Sequence, residues 1–269
     1  MKPCIAINAD NLSVGYERQL ILRDLNFQAA AGELTVLIGP NGCGKSTLLK
    51  SLARVLPLQA GKVMLGDQDV HHTPTKKMAQ TLAFLPQGPI APEGLTVREL
   101  VAQGRFPHQS LLRQWSRDDA RIIDKALAQT HLCELAERPL TDLSGGQGQR
   151  AWIAMVLTQD TPVILLDEPT AFLDLKVQVD LLSLLHQIAH DEQRTVVVVL
   201  HDLNVAASFA DHMVMMRAGS VLAQGPVNQV FNAENLKAVF DLDSVILTDP
   251  STGRPICAPQ CARLLAGSI

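Results

Sequence analysis

No stretch of about 18 consecutive apolar residues occurs in the 269-residue chain, which excludes a helix that crosses a bilayer unaided. The first residues lack the apolar core of a secretory signal, and Met1 to Ala6 give way to the polar Asn8, so export is not expected. Basic residues are not in excess. Lys and Arg number 23 against 27 Asp and Glu, a formal charge of -4, which weighs against a protein held on nucleic acid by charge. The cysteines Cys4, Cys43, Cys133, Cys257 and Cys261 are odd in number and form no Cys-x-x-Cys. Nothing here indicates a disulfide framework, and free thiols in a reducing cytosol are expected. Cys257 and Cys261 are close in sequence, but no histidine lies near them to complete a metal site. No short-period repeat or low-complexity tract is present.

Apolar residues make up 47% of the chain and charged residues 19%, enough to build a large core in one domain, or in one domain carrying a sub-domain. Three apolar runs, Leu34–Ile38, Val163–Leu166 and residues 196–200, are rich in Leu and β-branched residues. Runs of this kind fit strands covered on both faces, hence a parallel sheet. Residues 46–55 and 177–190 read as helices, the second with Leu181, Leu184, Leu185 and Ile188 on one face. The alternation predicts an α/β core. Residues 89–158 carry no comparable strand run. Thr96 to Glu99 is a capping box, Ser116 to Asp119 another helix start, and Ile122, Ile123, Ala126 and Leu127 follow at helical spacing. This region reads as a helical insertion, entered through Pro86, Pro89 and Pro92. Towards the end, residues 213–216 and 221–223 flank Ala218-Gly219 as a hairpin, residues 226–240 look helical, and residues 245–247 and 256–258 form a last strand pair.

Residues 39–47 read Gly39-Pro40-Asn41-Gly42-Cys43-Gly44-Lys45-Ser46-Thr47, the P-loop pattern between a strand and a helix. Its glycines let successive backbone N–H groups curl around a polyphosphate, and the helix start adds its positive end. Lys45 would reach the β- and γ-phosphates and Ser46 would ligate Mg2+. Cys43 would contribute only its backbone, with an exposed and reactive thiol. The strand Val163–Leu166 delivers Asp167 and Glu168 to its carboxyl edge, where ligands bind in open α/β sheets. Asp167 would hold Mg2+, and Glu168 would polarise an attacking water.

A P-loop alone leaves kinases, GTPases and many ATPases open. A second element is Leu143-Ser144-Gly145-Gly146-Gln147 ahead of the helical stretch from Gln149. It reads either as a second anion cradle or as a capped helix with a glycine turn. With this segment the chain resembles the ABC (ATP-binding cassette) ATPase family over about its first 225 residues. The resemblance implies a P-loop NTPase α/β core with a mainly parallel sheet, an N-terminal antiparallel β sub-domain and an inserted helical sub-domain. The core would comprise residues 1–88 and 159–269, and residues 89–158 would carry the signature. It also implies that Tyr16 stacks on adenine, that Gln87 senses Mg2+ and the membrane subunit, and that Asp174 lies at a dimer seam. His201 would contact the γ-phosphate. Two positions depart from the pattern: Gly148, expected to loosen the helix after the signature, and Ala171, which replaces a frequent serine. Neither touches Lys45, Asp167, Glu168 or His201, so an active ATPase is expected.

The resemblance further implies that two cassettes pair head to tail, each ATP with Mg2+ held between the P-loop of one and Ser144 to Gln147 of the other. Partners would be a second ATPase subunit, transmembrane permease subunits and, indirectly, a solute-binding protein. The place would be the cytoplasmic face of the bacterial inner membrane. Gly104 to His108 before Trp115, Gln149 to Met155, and Gly253-Arg254-Pro255 resemble ATPases serving ferric siderophore import, with haem and vitamin B12 importers as close relatives. A soluble ABC ATPase acting on DNA or ribosomes is the alternative class. No long coiled-coil insertion and no second cassette are present to support it. A catalytically dead regulator is disfavoured by Glu168 and His201. His71, His72 and the other histidines are read as surface residues without a role.

Overall fold

The three apolar runs are neighbouring strands of one sheet in a computed structural model that describes residues 4–17, 19–90, 93–109, 115–171 and 173–260. Pro92, Phe172 and Cys261 lie outside the described residues. The chain begins with β1 (Ile7–Tyr16), β2 (Gln19–Ala29) and β3 (Leu34–Ile38), followed by α1 (Lys45–Leu52), β4 (Ala60–Leu65), β5 (Gln68–Asp69), α2 (Thr75–Ala79) and β6 (Leu82–Leu85). Helices α3 (Val97–Gln103), α4 (Arg117–Gln129) and α5 (Gly145–Thr158) come next. Then follow β7 (Val163–Leu166), α6 (Leu175–Asp191), β8 (Thr195–Val199), α7 (Leu203–Phe209), β9 (His212–Arg217) and β10 (Ser220–Pro226). The described chain closes with α8 (Val227–Val230), α9 (Ala233–Phe240), β11 (Ser244–Thr248) and β12 (Pro255–Pro259).

The central sheet has the order β10-β9-β3-β8-β7-β6, parallel throughout except for the antiparallel edge strand β10. A second, antiparallel sheet has the order β2-β1-β4-β5. Alternation along the strands explains why the runs are apolar without interruption. Leu34, Val36, Ile38, Val196 and Val198 enter one core together with residues of α3 to α7. Leu37, Val197 and Val199 enter the other, with α1 and the antiparallel sheet. Each such valine or leucine contributes roughly 1.5–3 kcal/mol by leaving water.

Helices α3, α4 and α5 pack on one another, and the segment Gly104 to His108 joins them. A Cβ on Gly104 would lie 2.1 Å from the Met155 carbonyl oxygen, so only glycine lets α3 come this close to α5. The Arg105 guanidinium donates to Asp119 Oδ1 at 2.8 Å and to the Thr158 carbonyl at 2.8 Å, and His108 Nε2 lies 2.8 Å from the Gln159 carbonyl. The capping box at Thr96 with Glu99 forms, and the helix start at Ser116 is also a capping box, with Asp119.

Several details differ from the sequence reading. Residues 226–240 are two helices, because Asn232 accepts a hydrogen bond from Asn235 N–H and starts α9 afresh after Phe231. Helix α1 stops at Leu52, and Arg54 lies at φ 61°. Leu184 is only partly buried on α6, where Leu182 takes the inward place. Helix α5 runs unbroken through Gly148, whose N–H bonds the Ser144 carbonyl at 2.8 Å.

Candidate functional site

The loop after β3 is shaped by close approach. A Cβ on Gly39 would stand 2.2 Å from the Met216 carbonyl oxygen of β9, which only glycine permits. Gly44 caps α1 at φ 106°, a conformation that side chains disfavour. The loop therefore turns tightly and delivers Lys45 to the first turn of α1. Lys45 is 5% exposed, and its ammonium donates to the carbonyl groups of Gly39 at 2.8 Å and Pro40 at 3.1 Å. Asn41, Gly42, Gly44, Lys45, Ser46 and Thr47 line a cleft of about 660 Å3. Gly39 and Pro40 lie behind it as acceptors for Lys45.

Opposite the loop, β7 ends at Leu166 and presents two carboxylates in succession. Asp167 is buried, its N–H bonded to the Leu85 carbonyl at 2.9 Å, and its Oδ1 accepts from Ser46 Oγ at 3.0 Å. Its Oδ2 is buried without a partner. Burial pushes the Asp167 carboxyl above its usual range, against the Ser46 hydrogen bond. A buried, unpartnered carboxylate oxygen beside a hydroxyl is a hard-oxygen donor pair that fits a small divalent cation such as Mg2+. Such an ion would favour the charged carboxylate.

Glu168 sits at φ 53°, a left-handed conformation uncommon for a residue with a Cβ. That turn points its side chain into the cleft, where two partners hold it. His201 Nε2 lies 2.6 Å from Oε1, and Gln87 Nε2 donates to Oε2 at 2.7 Å. Gln87 follows β6 and His201 follows β8, so the carboxyl edge of the parallel strands gathers all three. Tyr16, at the end of β1 and 45% exposed, lines the same cleft. Ile21 of β2 lines it too, a residue the sequence did not single out and for which it carries no signal beyond an apolar strand position.

Cys43 requires a correction. Its side chain is 4% exposed, packs in the core under the loop and is absent from the cleft lining. Burial raises its thiol above the ordinary value despite the nearby Lys45, so the expectation of a reactive thiol fails. The cause is the loop's curl, which turns the Cys43 side chain towards Gly39 and away from solvent.

Ser144 to Gln147 and Asp174 do not line the cleft of their own chain. Ser144 caps α5, its Oγ accepting from Gln147 N–H at 3.3 Å while Gln147 Oε1 accepts from Ser144 N–H at 3.0 Å. Asp174 caps α6, accepting from Val177 N–H at 3.0 Å. The two helix starts are neighbours, since a Cβ on Gly146 would lie 3.5 Å from Val177 Cγ1. Ser144, Gly145 and Asp174 are exposed.

The family pattern of the ABC transporter matches residues 22–171. The achromobactin transport ATP-binding protein CbrD of Dickeya dadantii (strain 3937) is 49% identical over 254 residues, covering 94% of each chain. The iron(3+)-hydroxamate import ATP-binding protein FhuC of Bacillus subtilis (strain 168) is 47% identical over 252 residues, again 94% of each. An inward-facing structure described as a metal-chelate type ABC transporter is 30% identical with a TM-score of 0.82, covering 97% of this chain and 99% of that one. Among the described residues no helix is long and apolar enough to cross a membrane. On its P-loop cleft, its mixed sheet and these likenesses, the chain belongs to the ABC transporter family, as one of its ATP-binding and ATP-hydrolysing subunits.

Proposed function

We propose that this ATPase drives uptake of a ferric-siderophore-type iron complex through permease subunits, from the cytoplasmic face of the bacterial inner membrane and supplied by a solute-binding protein. The likeness to the achromobactin and iron(3+)-hydroxamate ATP-binding proteins supports this cargo class. The core would be residues 1–88 and 159–269 and the signature-bearing sub-domain residues 89–158.

The observation that carries the chemistry is the double hold on Glu168 by His201 and Gln87. In this reading ATP lies in the cleft with its adenine against Tyr16. Lys45 leaves its loop carbonyls for the β- and γ-phosphates, a charge-assisted contact. Ser46, Asp167 and Gln87 would hold Mg2+, which when bound neutralises phosphate charge. Glu168 accepts hydrogen bonding from the attacking water and orients it, while His201 donates towards the γ-phosphate side of the cleft. The α5 start, with Ser144 and its two glycines, faces outward and is offered to the nucleotide of a second cassette. Asp174 borders that seam. ATP binding would close the pair and hydrolysis would open it, and the permease would follow the change.

The test is reconstitution with the permease in vesicles. ATP-dependent uptake of an iron-loaded siderophore, lost with Glu168→Gln, supports the reading. Transport of vitamin B12 or haem in place of the iron complex would transfer the same machinery to another cargo.

A further inference from the structure

At the starts of β3 and β9, the opposite ends of the strands from the cleft, two histidines and a carboxylate converge. His186 and His190 are four residues apart on α6 and share one face, with ring centroids 4.2 Å apart. Asp211 lies just before β9. His190 Nε2 is 3.0 Å from Asp211 Oδ2 and His186 Nε2 is 3.9 Å from Oδ1. One ligand atom from each of the three fits within a 4.8 Å span. We propose that His186, His190 and Asp211 form a binding site for a borderline divalent transition-metal cation such as Zn2+, separate from the nucleotide and Mg2+ site.

The donor set suits that class. Two imidazoles and one carboxylate favour Zn2+, Ni2+ or Fe2+ over Mg2+, which prefers oxygen alone. A tetrahedral zinc shell with bonds of about 2.0–2.1 Å places its ligands about 3.3 Å apart, close to the 3.0 and 3.9 Å already present. The rings are 37% and 40% exposed, so an ion can enter and a water can fill the fourth place. The carboxylate is held for the purpose. Asp211 Oδ2 accepts from Leu34 N–H at 2.9 Å, and Asp211 N–H returns a bond to the Leu34 carbonyl at 3.0 Å, the kind of outer hydrogen bonding that orients a ligand.

A His–Asp ion pair would account for the same two contacts, but it takes up no metal ion. Arg254, 4.0 Å from Asp211 Oδ1, is a cation placed to resist a metal ion. Its guanidinium is engaged by the Ala210 carbonyl, which tempers affinity without closing the site. Occupancy would tie the end of α6 to the starts of β3 and β9, three segments distant in sequence.

The experiment uses the full chain without a polyhistidine tag, stripped with a chelator and dialysed against Zn2+. One equivalent should bind per chain. His190→Gln and His186→Gln should each weaken it by about tenfold or more. Zn2+ should also raise the Tm of the wild type more than that of either variant. Matching Tm values in chelator would show that the variants fold. Should a variant not fold, Co2+ absorption of the wild-type protein decides: a nitrogen–oxygen spectrum supports the site, and a thiolate charge-transfer band overturns it. No uptake by the wild type, or undiminished uptake by either folded variant, also overturns it.

Discussion

Glu168 Oε1 lies 2.6 Å from His201 Nε2, although 32 residues, a complete helix and a strand separate the two. With Gln87 on the other oxygen, two neighbours orient the carboxylate. Preorganised polar groups are worth more than groups that must be ordered during reaction. Glu168→Gln should lower kcat for ATP hydrolysis by about 10^2-fold or more, the usual weight of a general base. ATP affinity should stay within a few-fold, since Lys45 and the loop are untouched. Steady-state turnover together with nucleotide binding checks both halves.

Lys45 is satisfied by the Gly39 and Pro40 carbonyls, so its removal leaves these acceptors short of a donor as well as the phosphates short of a cation. Lys45→Ala should weaken ATP binding by about 10- to 100-fold, the value of one charged hydrogen bond. Fluorescent-nucleotide titration measures it, and unchanged affinity would contradict the assigned contact.

Burial governs Cys43. In native protein a maleimide should modify the exposed Cys133 and reach Cys43 more than about tenfold more slowly, whether or not ATP is present. Peptide mapping by mass spectrometry reads each thiol. Rapid labelling of Cys43 that ATP blocks would instead place the thiol in the cleft.

The Arg105–Asp119 pair is buried and joins α4 to the end of α5. Arg105→Ala should cost about 3 kcal/mol, because it strands a buried carboxylate. Burial alone would raise the Asp119 carboxyl, but hydrogen bonds from Ser116 and Arg105 outweigh it and hold the group below its usual range. A lowered folded pKa stabilises above the unfolded value of about 4 and is lost as pH falls through the folded value. The Tm gap between wild type and Asp119→Asn should therefore be full at neutral pH and close below about pH 4. Thermal melts across that window check the sign.

Local chemistry was legible and distant pairing was not. The P-loop, the capping box at Thr96, the helix start at Ser116 and the three doubly covered strands rest on neighbouring residues, and all are found where the sequence puts them. The hold on Glu168 joins residues 81 positions apart to Gln87, and the His186–His190–Asp211 cluster needs the return of β9 beside α6. No periodicity signals either. The break at Phe231 and Asn232 escaped because a continuous apolar pattern hides a competing cap. The inward turn of Cys43 depends on the backbone curl between Gly39 and Gly44, which residue types permit but do not display.

Ser144 lies outside its own cleft while Lys45 lies inside it, which under the proposed function makes each complete ATP site the work of two chains. Light scattering on Glu168→Gln protein with saturating Mg-ATP shows whether they pair. A stable dimer holding two ATP, dispersed again by adding Ser144→Arg, is the predicted result. A protein that binds ATP fully and remains a monomer at every concentration would contradict it.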